Sequence, residues 1–196
     1  MRKMRDFVLV LAMTSSLPLS VVVVQAAILQ AGAGQTPAEP LSPEAQQKLI
    51  KKIRSAIIKL PYFDVFDNIG FELQGRTVIL VGSVISEHAK TKQDAARAVA
   101  KIEGVDNVVN NIDVLPPSPI DARLRREVYA TLFSQNSPLF RYGQDKVNPP
   151  IRIIVTGARV TLEGVVNNES DKNLATLRVN QVPGVLQVTN NLRVVK

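Results

Sequence analysis

The 196-residue chain contains no cysteine, no tryptophan and a single histidine, His88. Without cysteine it cannot form a disulfide framework, a thiolate metal site or a lipid-modified N-terminal cysteine. One histidine cannot complete a site that needs two or three imidazoles, and the sequence has no nucleophile elbow or phosphate-binding loop. We therefore expect no catalytic residues, no metal and no cofactor, with His88 as a solvated residue in the first turn of a helix.

The N-terminal segment has the pattern of an export signal. Basic residues within 1–5 precede an apolar run that begins at Phe7, and small residues up to Ala26 match the spacing that signal peptidase reads. We predict a signal peptide over residues 1–26, cleaved after Ala26, and a flexible leader over residues 27–43. The protein is then exported to the periplasm or cell envelope.

Two alternatives apply to this segment. Ala31-Gly-Ala33 is a second possible cleavage site. An apolar segment of about 18 residues is also near the length that spans a bilayer, so an uncleaved membrane anchor is conceivable. Pro18 and the polar residues 14–16 interrupt the segment and argue against the anchor.

Acidic residues are too few to balance the basic ones, and the net charge is +7. Residues 27–117 contain ten basic and ten acidic residues, whereas residues 118–196 contain eleven basic and six acidic, an excess of +5. Such asymmetry suggests an anionic partner. For an exported chain, anionic lipid head groups or cell-wall polymers are better candidates than nucleic acid, and we expect no nucleic-acid partner.

The chain then contains nearly the same sequence twice. Residues 71–84 align with residues 153–166 at an offset of 82, and residues 104–114 align with residues 184–194 at an offset of 80. This repeat indicates two copies of one small module. Residues that both copies share indicate scaffold, and residues that differ are free for function.

Each copy predicts the element order helix, strand, strand, helix, strand. Apolar residues recur at helical spacing in the first segment, and the next two segments alternate as half-buried strands do. The predicted core residues are Leu49, Ile53, Ile57, Leu60, Ile69, Phe71, Leu73, Val78, Leu80, Val84, Ala95, Val99 and Ile102 in the first copy, and Leu124, Val128, Leu132, Ile151, Ile153, Val155, Val160, Leu162, Val166, Ala175, Val179 and Val182 in the second. The fold class is α+β, with two tandem αββαβ modules that each pack a three-stranded sheet against two helices. We place domain 1 at residues 44–115, a Pro-rich linker at 116–119 and domain 2 at 120–196.

Three pairs of equivalent residues are predicted to have structural roles. They are Gly82 and Gly164, Gly104 and Gly184, and Asn110 and Asn190. The first pair lies on the inward side of a strand, where we expect a helix to pack closely across it. The second pair is expected to end a helix in the left-handed conformation. The asparagines share parity with core residues, so they should point inward and bond backbone groups of a nearby turn or strand end, because an unpaired buried amide is costly.

These motifs resemble those of the BON (bacterial OsmY and nodulation) domain family. The resemblance rests on the Val-Xaa-Leu-Xaa-Gly-Xaa-Val strand, the Gly-Val helix exit and the Val-Xaa-Asn-Asn-Xaa-Xaa-Val strand, which occur in order and twice. It covers residues 44–115 and 120–196, and a signal followed by two such modules is a layout that this family uses. The resemblance implies residence in the periplasm or envelope, attachment to phospholipid membranes, and a role in envelope integrity or osmotic stress.

The first helix of the second module carries the best candidate surface for a partner. Arg125, Arg126, Tyr129 and Phe133 recur at spacings of three and four, away from the predicted core stripe. Arginines beside aromatic rings are suited to anionic lipid, because the charges attract and the rings enter the head-group layer. Arg141 and Tyr142, in a loop without a full counterpart in the first copy, could extend this lipid-binding surface.

Less specific interpretations compete with this one. The helix face could be an ordinary solvated face with one aromatic packed on the neighbouring domain, and the loop could be a tolerated surface insertion. The competing functional class is a protein-binding or assembly module with other envelope proteins as partners, either ring-forming or chaperone-like. A three-stranded sheet leaves two edges that such a module could use.

Overall fold

The computed structural model of the protein describes residues 41–145 and 148–195. The predicted signal peptide, both cleavage sites and residues 27–40 of the predicted leader lie outside the described residues. Both repeats belong to one compact unit.

Each repeat has the predicted order of helix, strand, strand, helix and strand, and the α+β fold class is confirmed. Module 1 comprises α1 (Pro43–Ile58), β1 (Asn68–Gln74), β2 (Thr77–Val84), α2 (Ala89–Ala100) and β3 (Asn107–Val114). Module 2 comprises α3 (Pro119–Phe133), β4 (Ile151–Thr156), β5 (Arg159–Val166), α4 (Glu169–Asn180) and β6 (Gln187–Val194). The first two strands of each module pair antiparallel, and the second and third pair parallel, which leaves the first and third strands as edges.

The first helix of each module begins at a serine followed by proline. The Ser42 hydroxyl accepts a hydrogen bond from Ala45 N at 3.3 Å, and the Ser118 hydroxyl accepts one from Asp121 N at 3.1 Å. These side chains satisfy amides that have no partner within the helix, and proline fits the first turn because it has no amide hydrogen. The cap residues therefore set where each module starts.

The predicted core stripes are confirmed with one difference between the modules. The β1 residues that face the helices are only partly buried, whereas their β4 counterparts are buried. These residues are Ile69, Phe71 and Leu73 in β1 and Ile151, Ile153 and Val155 in β4. The β4 edge of module 2 is therefore covered more completely than the β1 edge of module 1.

Gly82 and Gly164 have φ angles of +112° and +124°, a region that side chains disfavour. A Cβ at Gly82 would overlap the carbonyl oxygen of Asn68, and one at Gly164 would overlap that of Pro150. The expectation that a helix packs across these glycines is wrong, because the close neighbour is the backbone of the adjacent strand.

Gly104 and Gly184 adopt positive φ angles of +96° and +91°, as expected. Their predicted position at the helix end is wrong, however. The helices α2 and α4 end at Ala100 and Asn180, and their C-cap residues are right-handed. The glycines instead lie in the turn that leads each helix into the last strand of its module.

The predicted inward orientation and backbone bonding of the paired asparagines are confirmed. Asn110 Nδ2 donates to the carbonyl oxygen of Lys92 at 2.7 Å, and its Oδ1 accepts from Ile112 N at 3.3 Å. Asn190 repeats both bonds, with Lys172 O at 2.8 Å and Leu192 N at 3.0 Å. Each side chain thus ties its own strand to the first turn of the preceding helix, rather than to a turn or strand end.

Replacing Asn110 with alanine should lower the free energy of unfolding by about 2 kcal/mol, because it leaves backbone groups unpaired beneath the helix. Asn111→Ala, at the exposed neighbouring position, is the control and should change it by less than about 0.5 kcal/mol. Urea denaturation followed by circular dichroism measures both. Equal effects at the two positions would contradict the structural role of Asn110.

Candidate functional site

The face of α3 that the sequence suggested for lipid contact is largely covered. Arg125 is 3% exposed and Phe133 is 6% exposed, and Tyr129 is partly buried. Tyr142 is also buried. The expected exposure is therefore wrong for Arg125, Phe133 and Tyr142. Arg126 is exposed as expected, and so is Arg141.

The cover is a segment of module 1, residues 63–67, which we call the crossing segment. The Val65 side chain belongs to the hydrophobic core of module 2, and the Val65 carbonyl accepts a hydrogen bond from Ile153 N at 2.8 Å. The Phe66 ring lies edge-on to Tyr129 with centroids 6.2 Å apart, and Tyr129 lies edge-on to Phe133 at 5.1 Å. The aromatic residues of this α3 face therefore pack against the neighbouring module, as the alternative of one aromatic packed on the neighbouring domain had predicted in part.

Arg152, at the start of β4, also contacts the crossing segment. Its guanidinium donates to the carbonyl oxygens of Asp64 and Asp67 and lies over the Phe63 ring, 4.3 Å from the centroid. Burial lowers the pKa of Arg152, and the charges of Asp67 and Asp64 oppose that shift. The contact is therefore a buried arginine facing acidic groups of module 1.

Arg125 of α3 is a second buried arginine, and its hydrogen bond lies within module 2. Its Nη2 donates to the carbonyl oxygen of Val155 at 2.8 Å, on the edge of β4. Burial lowers the pKa of Arg125, and the nearby charges of Glu87 and Asp121 oppose that shift. Since Glu87 belongs to module 1, the two modules present opposite charges to one another.

Arg141 and Tyr142 tie their loop to the start of α4. The Tyr142 hydroxyl donates to Asp171 Oδ2 at 2.6 Å and accepts from Asn167 N at 2.8 Å. Arg141 forms an ion pair with the same Asp171 carboxylate. These contacts attach the loop to the start of α4 within module 2.

His88 is not the solvated residue that the sequence suggested. Its side chain is largely covered, and Nδ1 lies 2.7 Å from Asp67 Oδ2. Burial raises the pKa of Asp67, while its bonds from Ile85 N and His88 act to lower it. Asp64 stands close enough for the three side chains to converge on a common point. Asp64 Oδ1 accepts a hydrogen bond from Phe66 N at 2.8 Å. The Asp64 and Asp67 carboxylates therefore stabilise the backbone conformation of the crossing segment.

A different surface of module 2 carries exposed apolar and basic side chains together. We call it the module 2 tip, and it comprises Ile120, Arg123, Arg159 and Leu186. Ile120 is 61% exposed and Leu186 is 75% exposed. Arg123 and Arg159 are exposed as well.

Hydrogen bonds bring the three parts of the module 2 tip to one end of the module. The Asp121 carboxylate accepts from Gly157 N at 3.0 Å and Ala158 N at 2.8 Å, which joins the start of α3 to the β4–β5 turn. Leu186 N donates to Ala158 O at 2.9 Å, which adds the loop before β6. Burial acts to raise the pKa of Asp121, but the bonds from Ala158 and Gly157 outweigh it and the pKa is lowered.

The two repeats differ at this end. The positions equivalent to Ile120, Arg123, Arg159 and Leu186 in module 1 are Ala45, Lys48, Thr77 and Asp106. At these positions module 1 therefore has no large apolar side chain, and it has one cation, Lys48, where module 2 has two arginines. Sequence periodicity missed the module 2 tip because its residues lie at element ends, although the alignment of Leu186 with Asp106 was a detectable difference.

Within residues 41–145 and 148–195, no helix has both the length and the apolar character needed to cross a membrane.

The comparisons with known proteins agree with the repeat. The BON domain family matches residues 46–116 and again residues 121–196. No curated protein shows a significant match. Among solved structures, the chain is similar to the C-terminal domain of CdsD, the structural protein of the type III secretion system of Chlamydia trachomatis. That match has 12% identity and a TM-score of 0.30, and it covers 76% of this chain and 98% of that one. A second CdsD structure matches at 16% identity and a TM-score of 0.25, covering 76% of this chain and 92% of that one.

Family membership rests on the sequence match to the BON domain. The two matched segments coincide with the two αββαβ modules and together span most of the chain. Membership suggests a role associated with the cell envelope. The chain therefore belongs to the BON domain family and contains two tandem BON domains.

Proposed function

We propose that this protein is a non-enzymatic envelope protein that attaches to anionic phospholipid membranes through the module 2 tip and thereby supports envelope integrity or tolerance of osmotic stress. The observation that carries the proposal is the pair of exposed side chains Ile120 and Leu186, flanked by Arg123 and Arg159, at one end of the module with the +5 excess. The predicted export signal supports this proposal, because export would bring the protein to such a surface.

The chemistry of the module 2 tip suits the head-group layer. Two exposed apolar side chains can enter the boundary between head groups and acyl chains, and arginines beside them attract anionic lipid. Each cation near an anionic surface contributes about 1 kcal/mol to binding. Arg126 is exposed and can add to the long-range attraction. Arg141 is exposed but is paired with Asp171, and Arg125, Phe133 and Tyr142 are buried, so these four residues are left out of the site.

Vesicle flotation tests the proposal with the full chain. The parent protein should float with vesicles that contain phosphatidylglycerol and should not float with pure phosphatidylcholine vesicles. The double variant Leu186→Asp with Arg159→Glu should lose at least about 2 kcal/mol of binding, because one apolar contact and one cation are each replaced by an anion. Raising the salt concentration should weaken parent binding, since exposed charges are screened over about 8 Å at physiological ionic strength.

A matched control carries the same types of change at the other end of the β6 strand. Arg193→Glu with Val195→Asp alters one exposed arginine and one exposed aliphatic residue away from the module 2 tip. It should float nearly as well as the parent. Equal losses in both double variants would show that only net charge matters, and unchanged flotation of the tip variant would remove the module 2 tip from the mechanism.

A further inference from the structure

The groove between the first helix and the first strand of module 2 is occupied. The crossing segment lies along the outer edge of β4, where Ile153 N donates to Val65 O at 2.8 Å. Val65 is 8% exposed and packs in the module 2 core, and Phe66 packs on Tyr129 of α3. One extended stretch of chain therefore supplies a backbone bond to a strand edge and side chains to the space beside a helix, which is how strand addition works.

Within residues 41–145 and 148–195, the equivalent groove of module 1 is open. It lies between α1 and the outer edge of β1, continues to the start of β4, and has a volume of about 880 Å³. Its α1 wall contains Ile50, Arg54 and Ile58, which correspond to Arg125, Tyr129 and Phe133 of α3. The described residues thus fill the groove of module 2 and leave its counterpart in module 1 unfilled.

The strand edge in the open groove has free backbone groups. In an antiparallel pair, alternate residues direct N–H and C=O toward the partner strand and the others direct them outward. Phe71 aligns with Ile153, and the Ile153 amide points outward to the crossing segment. Ile69, Phe71 and Leu73 therefore direct their backbone N–H and C=O groups toward the open edge of β1. Within the part of the chain that the structure describes, no backbone hydrogen bond reaches these groups from outside the sheet.

The charges around the open groove indicate what it can accept. Arg54, Arg152 and Arg193 line it, against the single carboxylate of Glu72 among the described lining residues. The segment that fills the module 2 groove has an aliphatic residue between acids, in Asp64-Val65-Phe66-Asp67. An acidic segment with a central aliphatic residue is complementary in charge to the basic rim of the open groove and in polarity to its apolar wall.

We propose that the α1–β1 groove of module 1 binds an extended acidic-aliphatic segment of another polypeptide by strand addition to β1. The segment's backbone pairs with the outward groups of Phe71 and its neighbours. Its aliphatic side chain enters beside Ile50 and Ile58, and its carboxylates face Arg54. This is a protein-binding site separate from the module 2 tip, and it does not depend on lipid binding.

The test uses the full chain and a synthetic peptide with the sequence of residues 61–68. Fluorescence anisotropy gives the Kd, and NMR shows which amides respond. The Phe71 amide should become protected from exchange while that of Ile153 does not change. Arg54→Glu should weaken binding about tenfold, because a cation at the rim becomes an anion. Lys51→Glu, the same charge reversal on an exposed α1 position outside the groove, should leave the Kd unchanged.

Strand addition also predicts alternation along the peptide. N-methylation of the amides that face β1 should abolish binding, whereas N-methylation of the intervening amides should leave the Kd within about twofold. Absence of binding at millimolar peptide, equal Kd values for Arg54→Glu and the parent, protection at Ile153 in place of Phe71, or no alternation would each overturn the proposal.

Discussion

Replacing Gly164 with alanine should lower the free energy of unfolding of module 2 by about 4 kcal/mol, a large part of the 5–15 kcal/mol typical of a domain. The residue has a φ of +124°, which costs a side chain about 1–3 kcal/mol. The added Cβ would also overlap the carbonyl oxygen of Pro150, which accepts from Val165 N at 2.8 Å. Relief of the overlap requires β4 and β5 to separate at this point, so the adjacent hydrogen bonds weaken as well.

Gly157→Ala is the matched control within the same module. This glycine also has a positive φ, +57°, but a Cβ there would have no neighbour within 4 Å. We expect a loss of about 1 kcal/mol, from backbone strain alone. Thermal and urea denaturation of both variants measure the difference. Equal losses would show that the contact with Pro150 adds nothing beyond the φ angle.

The repeat allowed much of this fold to be predicted from the sequence. The alternation of Val160, Leu162 and Val166 places three side chains on one face of a strand, and the structure buries all three. The same parity predicted the inward position of Asn190. Strand parity could not identify the neighbour of Gly164. Parity shows to which face of the sheet a residue points, but it does not show which backbone atoms lie next to that residue.

The candidate site was harder to predict for a related physical reason. A helical pattern separates the Leu124 face of α3 from the face of Arg125 and Phe133, but it does not show whether the second face meets solvent. The exposure of the second face depends on the crossing segment. This segment connects α1 to β1 in module 1, and its sequence has no helical or strand periodicity. The pattern therefore grouped Arg125, Tyr129 and Phe133 on one helix face, but the expected exposure of Arg125 and Phe133 was wrong.

Val65→Asp should separate the two modules and lower the free energy of unfolding by at least about 3 kcal/mol. Val65 lies in the core of module 2, and a carboxylate there would lose its hydration without gaining a cation or donor. Expelling the side chain also removes the bond from Ile153 N to Val65 O and uncovers the aromatic face of α3. Hydrogen exchange should show loss of protection at Ile153, and thermal unfolding should change from one transition to two.

Tyr62→Asp is the control, because Tyr62 is 76% exposed and lies just before the crossing segment. It introduces the same carboxylate near the same chain but outside the module 2 core, so the exchange rate at Ile153 should stay within about twofold of the parent, as expected for a surface substitution. If Val65→Asp leaves Ile153 as protected as Tyr62→Asp does, the crossing segment is not what couples the modules. Coupling would then depend on the buried guanidinium of Arg152 and its bonds to Asp64 and Asp67.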